Sequence, residues 1–147
     1  MKIRSYTFSK QAQRLGYRSG LEQVVAEQLE RIQLPFEYES KDRRISYEKP
    51  STQHKYTPDF TFGESKIIIE TKGYFTSADR KKMKLVKTQN PEFDVRFVFS
   101  NSNTKIGKKS NTTYAMWCDM HGFKYADKVI PAAWVEEIRH DIRDSRR

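Results

Sequence analysis

The sequence predicts a single mixed α/β domain, and three observations carry that prediction. A length of 147 residues suits one hydrophobic core. Apolar residues recur with a helical period in some stretches and alternate with a period of two in others. No internal repeat or shift in composition marks a second domain. Charged residues make up 32% of the chain and apolar residues 36%, but an aromatic content of 13% is too high for a disordered polypeptide.

Residues 1–17 carry Lys2, Arg4, Lys10 and Arg14 without sustained periodicity, and are expected to form a mobile basic arm ahead of a folded domain over 18–147. A first helix is expected from Ser19, because Leu21, Val24, Val25, Leu29 and Ile32 recur at helical spacing and Pro35 ends the run. The stretch FEYESKDRRISYEKP (36–50) reads as extended and polar, with a break at Pro50. YTPDFTF (56–62) and KIIIETKG (66–73) read as consecutive strands separated by the turn residues Gly63, Glu64 and Ser65.

A second helix begins near Thr76, where Thr76 and Asp79 have the spacing of a capping box, and it stops before Asn90-Pro91. DVRFVFS (94–100) alternates, with Val95, Phe97 and Phe99 on one face, and predicts another strand. After a polar loop, NSNTKIGKKSN (101–111), come a helix around TTYAMWCDMHG and a short strand at FKYA. The last helix starts at Pro131, a residue suited to a first helical position, and the charged tail RHDIRDSRR is expected to fray.

The formal net charge is +9, with a pI near 9.6, which points to an anionic partner. No apolar run approaches the roughly 20 residues that span a bilayer, and no strongly amphipathic basic helix favours a membrane surface. The basic N-terminus lacks the apolar core of an export signal. A lone Cys118 excludes an intramolecular disulfide and fits a reducing compartment. Nucleic acid is the expected partner.

The sharpest chemical constellation is Pro58-Asp59 followed by Glu70-Thr71-Lys72. Two antiparallel strands joined by a short turn bring Asp59 near Glu70, 70 − 59 = 11 positions later. Alternation puts Glu70 and Lys72 on one strand face. Two adjacent carboxylates repel unless a cation lies between them, and hard oxygen ligands favour Mg²⁺. Such an ion polarises a phosphodiester and acidifies a bound water. Lys72 is placed to position or deprotonate that water, or to stabilise charge developing at phosphorus. Read separately, each of these residues also fits a surface ion pair. Their place at the end of an apolar strand, in a chain seeking a phosphate-rich partner, favours catalysis.

This pattern resembles the PD-(D/E)xK nuclease motif. The wider string is more specific: RSGLE at 18–22, FEYE at 36–39, YTPDF at 56–60, ETKG at 70–73, DRKK at 79–82 and ADK.IPA.W at 126–134. Together these resemble the phage endonuclease I family of four-way (Holliday) junction resolvases, over about residues 18 to 135. The resemblance implies a restriction-endonuclease-like mixed β-sheet flanked by helices, in a domain-swapped dimer. Residues 43–51 would be the extended bridge between swapped halves. It also implies two Mg²⁺ ions per site, with Mn²⁺ as substitute, and branched DNA as substrate in the bacterial host cytoplasm.

By the same resemblance Glu22, Asp59, Glu70 and Lys72 form the catalytic set. Asp59 would bridge two ions, Glu70 and the Thr71 backbone carbonyl would hold the first, and Glu22 the second, so that the Thr71 side chain is not needed as a ligand. Glu22 of one chain would join Asp59, Glu70 and Lys72 of the other. From its residues alone, Ser19-Gly20-Leu21-Glu22 is a capping box that gives Glu22 a structural partner instead.

Arg18, Arg80, Lys81, Lys105 and Lys108 are the candidate phosphate contacts, joined by Lys82, Lys84 and Lys109 in the same basic groups. His54 has no clear partner, His121 and His140 lack zinc-ligand spacing with Cys118, and Trp117 and Trp134 sit at core spacing. Competing readings are a nuclease of linear or mismatched duplex, a non-catalytic basic DNA-binding module, and an RNA-binding protein, which lacks the expected aromatic string.

Overall fold

The computed structural model describes residues 16–49 and 52–147. The expected basic arm, apart from Gly16 and Tyr17, and Pro50 and Ser51 of the expected bridge lie outside the described residues. Among the described residues no helix is long and apolar enough to cross a membrane.

Helix α1 (Gly20–Arg31) starts where the Ser19 hydroxyl accepts a hydrogen bond from the Glu22 amide at 3.1 Å. Strand β1 (Glu37–Tyr38) follows, then a 3₁₀ turn (Lys41–Arg43) inside the stretch expected to be extended throughout. Strands β2 (Ile45–Lys49) and β3 (Thr52–Tyr56) pair antiparallel with each other, from Ile45 opposite Tyr56 to Lys49 opposite Thr52. Over 45–49 the expected bridge is therefore a strand paired within its own chain.

The single strand expected over 56–62 is two elements. β3 stops at Tyr56, and β4 is only Phe60–Thr61. Pro58 lacks an amide to donate to a ladder, so the chain leaves one sheet there and enters the other. β5 (Ile67–Lys72) and β6 (Asp94–Phe99) match the strands expected from their apolar runs. Between them runs α2 (Ser77–Gln89), whose Thr76–Asp79 capping box forms in both directions. Helix α3 (Tyr114–His121), strand β7 (Lys124–Asp127) and helix α4 (Ala132–Ser145) complete the domain. Pro131 caps α4 from one position ahead of it. The tail expected to fray is helical to Ser145, because Ile138 is buried and Ile142 half-buried on the stripe begun by Trp134 and Val135.

The main sheet runs β1-β4-β5-β6-β7: antiparallel on one side of β5, parallel on the other. The parallel pairs need crossovers, which α2 and α3 supply. Both faces are covered. Ile67 and Ile69 pack with Val25, Leu29, Trp134 and Ile138 of α1 and α4. Ile68 packs with Met83 and Val86 of α2 and with Ile45, Tyr47 and Tyr56 of the hairpin. The hairpin is tied to the end of α2 by the Gln89 amide group, which accepts from the Glu48 amide at 2.6 Å and donates to the Glu48 carbonyl at 2.8 Å. Strands β5 and β6 thus hold their C-terminal ends side by side, with Lys72 opposite Phe99.

Candidate active site

The antiparallel register that sets Phe60 opposite Ile69 sets Asp59 opposite Glu70. Their backbones and carboxylates interlock: the Asp59 amide donates to Glu70 Oε1 at 3.1 Å, and the Thr71 amide donates to Asp59 Oδ2 at 2.9 Å. The Thr71 hydroxyl donates to the same Oδ2 at 2.8 Å. The Thr71 side chain, expected only not to be needed as a ligand, thus fixes the orientation of Asp59. Lys72, with its side chain 17% exposed, emerges beyond Glu70 on the same face and pairs with Asp79 at 3.6 Å.

Asp59 and Glu70 are both buried. Burial pushes the Glu70 carboxyl well above the ordinary carboxylate range, and the neighbouring Asp59 pushes it further, while Lys72 opposes them. The Tyr56 hydroxyl, raised by its own burial and by Glu70 and Asp59, lies beside them without a hydrogen-bond partner of proper geometry. A buried donor without a partner beside two crowded carboxylates is chemistry that a bound cation would fit. The donors are oxygens throughout, which suits a hard divalent ion. Cys118 is buried in the core, its thiol pushed up to about 12 by that burial, so it offers no competing soft ligand.

Glu22 reaches this site from α1 of the same chain. Its Oε2 accepts from the Tyr38 hydroxyl at 2.5 Å and from the Arg18 amide at 2.8 Å. The capping reading of Glu22 is thus realised in part through Oε2, while Oε1 lies 3.6 Å from Arg18 Nη2. The reciprocal amide belongs to Arg18, not to the capping residue Ser19. Burial raises the Glu22 carboxyl above its usual value, the Tyr38 hydrogen bond lowers it, and Asp59 raises it.

Sequence reasoning missed Glu39. Its carboxylate, with those of Glu22 and Asp59, offers oxygens that all lie within 4.8 Å of one another. Glu39 takes a left-handed φ of 44°, a conformation that costs energy in a side-chain-bearing residue, and its amide donates to the Asp59 carbonyl at 3.0 Å. The available signal was alternation in FEYE, which puts Glu37 and Glu39 on one face. Glu37 is instead occupied by Arg43 and by the Thr61 hydroxyl.

The carboxylates of Glu39, Asp59 and Glu70 and the Lys72 side chain line an open pocket that also presents Arg18, Lys41, Arg44, Lys55 and Lys82. Of the expected phosphate contacts, Arg18 and Lys82 are in it. The half-buried Arg80 donates to the Phe75 carbonyl, and Lys81 is exposed on the first turns of α2. Lys105 and Lys108 are exposed on the loop that leaves β6 at Ser100, whose amide donates to the Lys72 carbonyl at 3.2 Å. That loop and the start of α2 therefore share the sheet edge where Lys72 ends β5. His54 stacks on Tyr47 in the hairpin, outside the pocket lining.

A carboxylate pair beside a lysine in a basic-rimmed pocket suits a nuclease, and similarity to known proteins supports that class. The chain belongs to the phage endonuclease I family, whose description, Phage endonuclease I, matches residues 3–146. It is similar to Endonuclease I of Escherichia phage T7, with 47% identity over 126 residues, 86% of this chain and 83% of that protein. It is equally similar to Endodeoxyribonuclease 1 of Enterobacteria phage T3, with 48% identity over 126 residues, 86% of this chain and 81% of that protein.

Proposed function

We propose that this protein is a Mg²⁺-dependent endodeoxyribonuclease that cuts four-way and branched DNA junctions as a homodimer. The observation that carries the reading is the meeting of Asp59, Glu70 and Lys72 in one open, basic-rimmed pocket, with the Glu22 carboxylate clustered beside Asp59. Glu22, Asp59, Glu70 and the Thr71 carbonyl would hold two divalent ions, with Glu39 as an added ligand. Ions there would polarise the scissile phosphodiester and lower the pKa of the attacking water.

The protein's own groups do the rest. Thr71 holds Asp59 through two hydrogen bonds, so its free oxygen keeps a fixed direction. The Asp59 amide holds Glu70. The Lys72 ammonium, paired with Asp79, takes up negative charge building on the phosphate oxygens, and that pairing favours a charge-stabilising role over a basic one. Lys41, Arg44, Lys55 and Lys82 contact backbone phosphates without reading bases, which suits recognition of branched shape.

The hairpin supports the dimer reading. It joins residues 16–44, which carry Glu22, to residues 57–147, which carry Asp59, Glu70 and Lys72. If its five residue pairs formed between chains, each site would draw Glu22 from one protomer and the other three residues from its partner. Two linked sites suit a substrate that needs two cuts. The reading is tested by incubating the protein with a four-way junction and with matched linear duplex, in Mg²⁺ and in EDTA, beside Glu70→Gln. Cutting of the junction only in Mg²⁺ is expected. Binding without metal-dependent cutting removes the enzyme reading, and equal cutting of linear duplex removes the junction preference. A monomer by light scattering at assay concentration removes the shared site.

A further inference from the structure

The carboxylates of Glu22, Glu39 and Asp59 already share one cation, the guanidinium of Arg18. Its Nη2 lies 3.6 Å from Glu22 Oε1 and 3.4 Å from Asp59 Oδ1, and its Nε pairs with Glu39 Oε1. Partial burial works against the Arg18 charge, but Glu22, Glu39 and Asp59 outweigh it and hold the guanidinium firmly protonated. The Arg18 side chain is nonetheless 68% exposed, so these carboxylates are its main tether. Its backbone is anchored separately from the head group, by the hydrogen bond its amide donates to Glu22 Oε2 at 2.8 Å. The head group can leave while the residue stays in place.

We infer that Arg18 is an exchangeable placeholder: it neutralises the Glu22–Glu39–Asp59 cluster in the metal-free protein, and a divalent ion entering that cluster releases it toward a DNA phosphate. The inference rests on the metal-dependent reading proposed above. Two geometric facts support exchange over coexistence. Ligand oxygens around Mg²⁺ at about 2.1 Å lie no more than about 4.2 Å apart. The three carboxylates, spread within 4.8 Å around the larger guanidinium, would close only slightly on a smaller ion. Competition for oxygens then decides occupancy: Arg18 engages Glu22 Oε1, Glu39 Oε1 and Asp59 Oδ1, and an ion that draws those oxygens in sets a divalent charge at contact distance from the guanidinium, which it repels. Once released, Arg18 faces the pocket that Lys41 and Arg44 also line, where a planar fork can grip a phosphate through two oxygens.

The test is titration of Mn²⁺ alone into the full-length protein without DNA, read by calorimetry or by electron paramagnetic resonance of free Mn²⁺. Wild type, Arg18→Gln and Arg18→Lys are compared. Arg18→Gln is expected to bind Mn²⁺ about 5- to 10-fold more tightly, because no internal cation competes, with Arg18→Lys between the two. Thermal melting gives the second readout. Arg18→Gln should melt below wild type in EDTA and recover that deficit in saturating Mn²⁺, whereas a merely structural arginine would leave the deficit unchanged. Equal or weaker Mn²⁺ binding by Arg18→Gln, with wild type binding normally, overturns the placeholder alone. Failure of wild type and both variants to bind Mn²⁺ overturns the metal reading and the placeholder with it.

Discussion

Glu70→Gln should make the metal-free protein more stable while abolishing its cleavage. In the wild type, the Glu70 and Asp59 carboxyl groups share a buried strand end, with the Asp59 amide as the hydrogen-bond donor to Glu70. Two unit charges about 5 Å apart repel by about 3 kcal/mol at an effective dielectric of about 20. Lys72 and the Asp59 amide offset part of this, leaving a net relief of about 1–2 kcal/mol when one charge is removed. In a domain of this size that raises Tm by roughly 2–8 °C. The sign follows from proton binding. Glu70 has a folded pKa above its unfolded value of 4.5, so the stability it contributes is present below pH 4.5 and lost as pH rises through the folded value. Glutamine mimics the protonated side chain and keeps the acceptor for the Asp59 amide, so the variant does not lose stability this way. The two proteins should melt together near pH 4 in EDTA and diverge as pH rises, with the variant higher at pH 8. Adding Mg²⁺ at pH 8 should raise the wild type more than the variant and narrow or invert the gap. A variant that melts below wild type at pH 8 in EDTA would refute the claim that Glu70 is held there at a cost.

Three further substitutions separate the roles assigned to neighbouring groups. Lys72→Met should slow junction cleavage by at least about 10²- to 10³-fold while changing the Kd for an uncut junction less than about threefold, measured by gel shift in Ca²⁺. Thr71→Val removes the hydroxyl that holds Asp59 Oδ2 but keeps the amide that also holds it. Cleavage should fall about 10- to 100-fold, with a loss of only about 1 kcal/mol in urea denaturation. Tyr56→Phe deletes a buried hydroxyl that has no partner in the metal-free protein. It should leave stability in EDTA unchanged or raised by up to about 1 kcal/mol, while the gain in Tm on adding Mg²⁺ shrinks.

What the sequence disclosed depends on how local each cause was. Three consecutive isoleucines can be buried only in a strand covered on both faces, so β5 and the emergence of Glu70 and Lys72 were legible at once. Asp59 was legible because a short hairpin connection brings it back within a few residues. Glu39 was not, because its place depends on a left-handed backbone and on a hydrogen bond to the Asp59 carbonyl, 20 positions away. Arg96 reads as a polar gap in an alternating strand. The structure shows it buried, paired with Asp94 and Glu137 and lying over the Trp134 ring at 5.3 Å, so α4 converts an apparent defect into an anchor. The same helix overrode the expectation of a frayed tail, since its charges face outward while Ile138 and Ile142 continue the stripe on the sheet. The break at Pro58 was legible in principle from the missing amide, but the strand-like residues on either side hid it.

That break also explains why the carboxylates meet where they do. Register in a sheet is strongly specified where a face is buried, because a one-residue slip moves every side chain to the opposite face. A one-residue slip of β5 would carry Glu70 to the face formed by α1 and α4, among the fully buried Val25, Leu29 and Ile138, and away from the Asp59 amide that holds it. Ile67 and Ile69 on that face, and Ile68 on the other, therefore fix the register from both sides. With β5 fixed, Asp59 must still reach Glu70 from a chain segment arriving from the hairpin. A continuous strand through Pro58 would have extended the hairpin ladder into β4 and tied the direction of Asp59 to that of Tyr56. Ending β3 at Tyr56 and starting β4 at Phe60 leaves Thr57, Pro58 and Asp59 free to turn, and Thr71 then captures the Asp59 carboxylate. The hairpin that carries the chain into this turn also seats Tyr56 and Lys55 in the pocket. An exchange of halves across the hairpin would preserve each of these contacts, because all of them lie on β3 or after it. The contributions of Glu22, Glu39, Arg18, Lys41 and Arg44 would pass to the partner chain.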